Sequence, residues 1–273
     1  MANKKYHRGR RKGRGYGKKN PQRRAGVMST IVFVIALAVF AFSAFQLFRI
    51  FSGYHKGQEV YDEVRDLAVQ TSDDDESPYW VDFEELLKIN PDTVGWIRFS
   101  PEPSQIDYPL VQTTDNDLYL SKTFSSTDNT VGAIFVNCYN SPDFSDRNTI
   151  IYGHRMKDHS MFHDLEKYSE KSFWEDNQYF YIYTPDGREI TYHIFSAGIV
   201  KDTSDTYLTD FADDASYEQF LKTIEVESAY DTGVAVEVTD SVVTLSTCTA
   251  ASDDNRMVVR GVKESERPME KPE

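Results

Sequence analysis

The chain of 273 residues carries 30 Lys and Arg against 44 Asp and Glu, a formal net charge of −14. The two signs are segregated along the chain: residues 1–26 hold eleven basic residues and no acid, so the remainder carries a net charge of −25. An acidic remainder disfavours binding to nucleic acid and other anionic polymers. The roughly 180 residues after position 80 are enough for one domain with a single core.

Residues 1–26 are basic and glycine-rich, so we predict a disordered tail. Residues 27–48 then form 22 uncharged, mostly apolar positions. About 20 such residues span a bilayer, and this run is longer than the apolar part of a cleaved signal peptide and lacks its small-residue end. We predict a transmembrane signal anchor, with the basic tail in the cytoplasm, touching anionic lipid rather than nucleic acid, and the rest outside the cell.

Residues 49–79 are predicted to form a stalk helix and a linker. Val60, Val64, Leu67 and Ala68 recur at helical spacing within residues 58–70, whereas residues 71–78 are a polar breaker. A second short helix is predicted over residues 79–92, because its apolar positions also follow a helical period and the pattern stops near Pro91.

Beyond this point strand patterns dominate, as short apolar or alternating runs between Pro, Gly, Asn and Asp. The predicted strands are residues 93–99, 106–112, 130–137, 148–154, 179–184, 189–201, 234–238, 241–248 and 256–263. Residues 161–176 and 216–226 are predicted helices, Gly187 a hairpin turn, and residues 264–273 a disordered, charged C-terminal tail. Eight or nine short strands with few helices favour a mainly β fold over residues 80–263, a closed or nearly closed β-barrel with peripheral helices.

Cys248 ends one strand in the sequence "TLSTC", among small hydroxylated residues. A thiol there fits a nucleophile, half of a disulfide with Cys138, or an inert core residue. Arg256 opens the next strand and would face Cys248 if residues 249–255 form a loop between antiparallel neighbours. Its guanidinium could stabilise a thiolate or an oxyanion, or lie solvated at a strand edge.

Histidines provide the proton carrier that a thiol nucleophile requires. His154 follows the apolar run "TIIYG", at the end of a predicted strand, where functional groups are commonly placed. His159 and His163 have a spacing that suits metal binding on a helix, but no third ligand is evident from the sequence. We therefore expect neither a metal site nor a cofactor.

Three segments taken together, "NTIIYGHRMKDHSMFHDL", "SVVTLSTCT" and "RMVVRG", resemble the sortases, membrane-anchored cysteine transpeptidases of Gram-positive bacteria. The opening "INPDTVGWIRF" and the run "VGAIFVN" are similar to class B. The resemblance covers residues 80–263 and implies a closed eight-stranded sortase-type β-barrel as the extracellular catalytic domain. Its substrates would be a surface protein bearing an NPxTx-like sorting signal and an amine from a cell-wall peptide or a lipid-linked precursor.

The resemblance also implies roles for individual residues. Cys248 would attack the Thr carbonyl and form a thioacyl intermediate, His154 would protonate the leaving amine, and Arg256 would bind the signal backbone or the oxyanion. Substrate-binding positions would be Ser246, Thr247 and Tyr152.

A catalytic Cys248 is incompatible with a permanent disulfide, so Cys138 is expected to be a packed thiol. Two other functions fit the same features: a cysteine hydrolase on this scaffold, or a non-catalytic surface-binding domain.

Overall fold

The computed structural model describes residues 21–70, 79–252 and 254–271. The predicted linker over residues 71–78 and most of the basic tail lie outside these ranges. The helices are α1 (Pro21–Ala68), α2 (Phe83–Ile89), α3 (Lys171–Asp176) and α4 (Asp214–Val226), with 3-10 turns at Leu118–Leu120, His163–Ser169 and Asp205–Tyr207. The strands are β1 (Val69–Gln70), β2 (Trp80–Val81), β3 (Thr93–Phe99), β4 (Asp107–Val111), β5 (Ile134–Val136), β6 (Asn148–Tyr152), β7 (Tyr179–Tyr183), β8 (Arg188–Lys201), β9 (Val242–Cys248) and β10 (Asn255–Pro268).

Helix α1 begins earlier than predicted, because proline is favoured at the first position of a helix. Residues 21–26, assigned to the tail from the sequence, are therefore helical. Within the described residues, α1 is a helix that is long enough and apolar enough to span a membrane, judged by length and composition. The chain divides into two compact units, residues 1–50 and residues 51–273.

The second unit contains the barrel. Within the described residues, eight strands close in the order β10-β8-β7-β3-β4-β5-β6-β9, as predicted, and β1 and β2 form a separate two-stranded sheet. The C-terminal part of α1 packs on this unit, since Tyr61, Val64 and Ala68 are buried in its core. Residues 51–68, within the predicted stalk, therefore pack with the domain that they precede.

Two pairings within the barrel are parallel, and one of them determines where functional groups meet. Strands β6 and β9 run parallel, with Tyr152 opposite Ser246. Parallel neighbours end at the same edge of a sheet. The residues that follow β6 and those that end β9 therefore lie together on one rim of the barrel. Strand β10 is antiparallel to β9, so its first residues lie on the same rim.

Helix ends follow the capping chemistry of the sequence. The Asp82 carboxylate accepts hydrogen bonds from the backbone N–H groups of Glu84 and Glu85 at the start of α2. Asp213 and Ser216 form a reciprocal capping box at the start of α4. Helix α4 then covers a second apolar cluster beside the barrel, which contains Phe195 and Val262.

The predicted strand over residues 234–238 is wrong. In the described chain these residues pair with no strand, and they form an extended segment whose Val234, Val236 and Val238 pack on the apolar cluster under α4. The alternating valines indicate that one side of an extended backbone is buried. Such burial does not require a neighbouring strand that forms backbone hydrogen bonds. The predicted helix over residues 161–176 is divided into a 3-10 turn and α3.

The predicted disordered tail from residue 264 is also corrected. Strand β10 continues to Pro268, which pairs with Arg188 of β8. Ion pairs from Arg188 of β8 to Glu266 and from Arg267 to Glu189 of β8 hold this charged extension against its neighbour. Charged residues are as common on an exposed strand as in a disordered tail, so composition alone placed the end of the last strand too early.

Candidate active site

Cys248 and Arg256 lie directly opposite each other at the rim of the barrel. Strand β9 ends at Cys248 and β10 begins at Asn255, and the strand register pairs Cys248 with Arg256. In the intervening loop, the Thr249 hydroxyl donates to the carbonyl of Ser252 at 3.2 Å. The Cys248 side chain is exposed. The predicted juxtaposition of thiol and guanidinium across a strand connection is therefore confirmed.

The Arg256 guanidinium is held at the rim by neighbouring groups. Its Nη1 donates to the carbonyl of Asn255 at 3.1 Å, and its Nη2 lies 3.8 Å from a carboxylate oxygen of Asp202. Asp202 follows β8, and its N–H donates to the carbonyl of Asp254. The acid thus anchors the guanidinium from the strand that flanks β10, rather than leaving it solvated as the alternative interpretation expected.

His154 enters the site from the end of β6. Its Nε2 lies 2.8 Å from the carbonyl oxygen of Leu120, and because a carbonyl only accepts, Nε2 carries the proton of this contact. Gly132, with φ of 65°, lies behind the ring: a Cβ there would approach Cδ2 of His154 to 2.8 Å. The carbonyl of His154 accepts from the N–H of Phe162 at 2.9 Å. The imidazole is therefore positioned from both sides by backbone.

One pocket of about 230 Å³ contains all six residues predicted from the sequence. Its lining consists of Cys248, His154, Arg256, Ser246, Thr247 and Tyr152, together with Asn116, Leu120, Phe135 and Gly153. An exposed thiol that shares a pocket with an imidazole and a guanidinium can carry nucleophilic acyl transfer. The arrangement supplies a nucleophile, a proton carrier and a donor for a developing negative charge.

Tyr152 and Ser246 form the polar wall of this pocket. Burial raises the pKa of Tyr152 to about 12, so its phenol stays neutral and accepts from Nδ2 of Asn137 at 3.3 Å. The Ser246 hydroxyl lies 2.9 Å from that of Tyr207. Thr247 lines the pocket as predicted, but its hydroxyl is buried and has no hydrogen-bond partner within the described residues.

Tyr207 lies beside this pocket and was not predicted from the sequence, and neither were the lining residues Asn116, Leu120 and Phe135. The Tyr207 ring is stacked on Tyr152, with 6.2 Å between centroids, and burial raises its pKa. Tyr207 lies in the 3-10 turn after β8, far from the motif segments in sequence. No spacing rule links it to Cys248, since only the closed barrel brings the turn to the rim.

Both cysteines, which lie within the described ranges, are free thiols. Cys138 is half-buried, and its N–H donates to Oδ1 of the pocket residue Asn116 at 2.9 Å. The structure thus agrees with the expectation that Cys248 is not locked in a disulfide.

The sequence offered no third partner for His159 and His163. The structure corrects this, because the carboxylate of Asp164 completes a cluster in which all three ligand atoms lie within 4.8 Å of one another. His159 lies in a loop before the predicted helix, and His163 is the first residue of the 3-10 turn that replaces the start of that helix.

Comparison with known proteins agrees with this geometry. The sortase domain family model matches residues 101–264. Sortase B of Listeria monocytogenes is 33% identical over 229 residues, which are 78% of this chain and 90% of the relative.

Two solved structures are also similar. Sortase B from Bacillus anthracis in complex with AAEK1 superposes with a TM-score of 0.67 at 33% identity, over 78% of this chain and 99% of that one. A Staphylococcus aureus sortase B–substrate complex gives a TM-score of 0.63 at 35% identity, over 67% and 85%. With a family model over more than half of its length and a curated relative above 30% identity, this chain belongs to the sortase family, in class B, and is a sortase transpeptidase.

Proposed function

We propose that this transpeptidase cleaves an NPxTx-like sorting signal after its Thr through a thioacyl intermediate on Cys248. It would then join the signal-bearing surface protein to an amine of the cell wall or of its lipid-linked precursor. The observation that carries the proposal is the placement of Arg256 opposite Cys248 in a pocket shared with His154. Acyl transfer requires these three functions within reach of one carbonyl group.

In the first step, the Cys248 thiolate adds to the carbonyl carbon of the signal Thr. Negative charge develops on the carbonyl oxygen, where the Arg256 guanidinium donates hydrogen bonds to it. The C–N bond to the next residue then breaks, and the leaving amine takes a proton from the imidazolium of His154. The products of this step are the thioester on Cys248 and the released C-terminal peptide.

In the second step, the cell-wall amine adds to the thioester carbonyl. The C–S bond breaks, Cys248 leaves as a thiolate, and His154 accepts the proton that the attacking amine loses. The same residues therefore serve both halves of the reaction with their proton roles reversed. Water in place of the amine would give hydrolysis, so the acceptor alone distinguishes a transferase from a hydrolase.

Substrate selection is assigned to the walls of the same pocket. Tyr152 and Phe135 offer aromatic surface, with 5.3 Å between their ring centroids. Ser246 and Thr247 also line the pocket beside the thiol, and the Ser246 hydroxyl contacts that of Tyr207. A pocket of this kind suits an extended peptide that carries small polar side chains at the cleavage point.

The N-terminal half of α1 supplies the proposed membrane anchor. Its apolar side chains between Ile31 and Phe48 are exposed on all faces of the helix. With the basic tail on the cytoplasmic side, residues 27–48 would cross the membrane and place the domain over residues 80–263 outside. The proposed binding partners outside the membrane are then the surface protein and the cell-wall amine, with no role for nucleic acid.

The test uses the full chain in detergent micelles with a fluorogenic NPxTx peptide and triglycine. Mass spectrometry is expected to show a thioacyl adduct on Cys248 and a triglycine-coupled product. Cys248→Ala should abolish both, whereas the matched variant Cys138→Ala should retain both. Undiminished turnover in Cys248→Ala would end the proposal, and a product that stays hydrolysed at saturating triglycine would assign the chain to hydrolysis.

A further inference from the structure

A cluster of metal-ligating side chains lies outside the catalytic pocket, on the segment that follows His154. It consists of His159, His163 and Asp164, and its three ligand atoms all lie within 4.8 Å of one another. The rings of the two histidines are 4.1 Å apart between centroids. The proposed transpeptidation uses none of these residues, so their convergence has no explanation in that reaction.

One hydrogen bond of the cluster leaves the second nitrogen of His163 available as a ligand. Nδ1 of His163 donates to the carbonyl of Met156, so Nε2 of the same ring carries the lone pair that a metal ion requires. A histidine oriented by a backbone carbonyl in this way is the usual arrangement of a metal ligand. Its tautomer is therefore already that of the metal-bound form.

The acid of the cluster is buried and divides its two oxygens between partners. Asp164 is 3% exposed, with Lys167 2.8 Å from Oδ2 and Nδ1 of His159 3.2 Å from Oδ1. Two ligands of a tetrahedral zinc ion are separated by about 3.3 Å. Because a carboxylate only accepts, Nδ1 of His159 donates in this contact, and a metal ion would replace that proton between two atoms already at the required separation, while Lys167 stays on the second oxygen.

Binding a metal ion would require movement mainly of the most exposed ligand. The His159 side chain is 67% exposed, so its ring can rotate at little packing cost and bring its nitrogen closer to the other two ligand atoms. Exposure on this side also leaves room for a water molecule as a fourth ligand. Two imidazoles and one carboxylate with an open position are a donor set that suits zinc and similar divalent ions.

We propose that His159, His163 and Asp164 bind a divalent transition-metal ion of the zinc type. The ion would link His159 to His163 and Asp164, within the segment that contacts the backbone of His154. In that segment the Phe162 N–H donates to the His154 carbonyl. Nearby, the Arg155 guanidinium forms two hydrogen bonds with the carboxylate of Glu166, at 2.6 and 2.8 Å.

The experiment uses the full chain in micelles, in a Cys248→Ala background so that the exposed thiol cannot ligate metal. After treatment with a chelator, Zn²⁺ binding is measured by calorimetry and Co²⁺ binding by its visible absorption spectrum. One saturable equivalent is expected, with a rise in the midpoint of thermal unfolding. His159→Ala and His163→Ala should each weaken binding by at least about 10-fold.

The matched control is His193→Ala, which removes a half-buried histidine elsewhere on the barrel. It should leave Zn²⁺ affinity unchanged. Asp164→Asn tests the acid directly, and the exposed His159 tests the site even where the buried variant does not fold. The proposal is overturned by the absence of saturable Zn²⁺ binding, or by equal affinities in His159→Ala and His193→Ala.

Discussion

The hydroxyl of Tyr207 lies 2.9 Å from Oγ of Ser246, two residues before the thiol of Cys248. The turn that carries Tyr207 is held by strand β6 of the barrel. Asn148 of β6 donates to the carbonyls of Thr206 and Leu208, at 3.2 and 2.8 Å. A side chain contributed by a loop is thus fixed against the end of β9 by the barrel itself.

Tyr207→Phe should lower the kcat/KM for the sorting peptide by roughly 2- to 10-fold. The lost contact with Ser246 is a hydrogen bond worth about 1 kcal/mol, and the stacked ring remains. Tyr207→Ala should have a larger effect, because Tyr152 then loses its aromatic neighbour. Peptide kinetics in the coupled assay measure both variants. Tyr139→Phe serves as the control, since Tyr139 is exposed, and a Tyr207→Ala enzyme as active as this control would contradict the assignment.

Gly132→Ala should lose activity beyond its loss of stability. A Cβ at this position would lie 2.7 Å from the Tyr119 carbonyl oxygen and 2.8 Å from Cδ2 of His154, so the imidazole would have to move. Both kcat/KM and the free energy of unfolding are measured, the latter by tryptophan fluorescence.

The matched control for this variant is Gly187→Ala. Gly187 also has a positive φ, 84°, but a Cβ there would meet no described atom within 4 Å. Each alanine should cost about 1–2 kcal/mol of stability from left-handed backbone strain. Only Gly132→Ala should also impair catalysis. Equal activity in the two variants would show that Gly132 does not position His154.

The residues of the candidate site could be located from the sequence because each lies at or next to the end of a strand with a strong local pattern. The apolar runs before His154 and Cys248 identify β6 and β9, and the short polar loop before Arg256 indicates an antiparallel connection. The barrel closure follows from strand number and length. Contacts across long separations are not contained in the sequence, so the place of Tyr207 beside Ser246 became visible only in the structure. The local pairing of Asp164 with His159 was missed because a helix was predicted where the chain forms a loop and a 3-10 turn.

The errors in the fold have the same origin. The alternation over residues 234–238 indicates an extended backbone with one buried side, but it does not reveal whether a neighbouring strand is available. Conversely, the charged residues after Lys263 conceal a strand whose partner, β8, lies about 70 residues earlier. Local patterns determine the backbone conformation of a segment, whereas strand pairing depends on which neighbouring strands the folded chain makes available.

Arg260→Met should destabilise the domain by about 1–3 kcal/mol, since it removes a buried guanidinium and leaves its buried hydrogen-bond partners unsatisfied. Arg260 is fully buried, and its guanidinium lies 2.5 Å from Oε2 of Glu227. It also donates to the hydroxyls of Thr206 and Ser196. Burial lowers the pKa of Arg260 to about 10, so the group stays charged near neutral pH. Urea unfolding followed by tryptophan fluorescence measures the loss.

Lys222→Met is the control for the buried arginine. Lys222 also pairs with a glutamate, Glu218, at 2.7 Å, but both side chains are exposed, at 62% and 57%. An exposed ion pair contributes about 0–1 kcal/mol, so this variant should be nearly as stable as the wild type. The double variant Arg260→Met with Glu227→Met should recover part of the loss, because it leaves no unpaired charge. Similar costs for Arg260→Met and Lys222→Met would contradict a special role for Arg260.

The stability of the domain should fall on mild acidification, in part through His193. Burial lowers the pKa of this imidazole below its ordinary value, and the nearby carboxylate of Glu264 opposes the shift only partly. The unfolded chain therefore takes up a proton at about pH 6.5 while the folded chain still resists it. Protonation of the unfolded state favours unfolding, so this contribution to stability is present above that pH and is lost as the pH falls towards the folded pKa.

His193→Gln should make the free energy of unfolding less dependent on pH in this window. The glutamine cannot titrate, and the contact that His193 makes with Gln178, at 3.2 Å, can be kept by an amide. Urea unfolding at several values between about pH 5 and 7.5 measures the slope in both proteins. Because the other titrating groups are common to both, the difference between the slopes isolates His193. A slope that is unchanged, or steeper in the variant, would mean that the folded barrel binds the proton of His193 at least as tightly as the unfolded chain does.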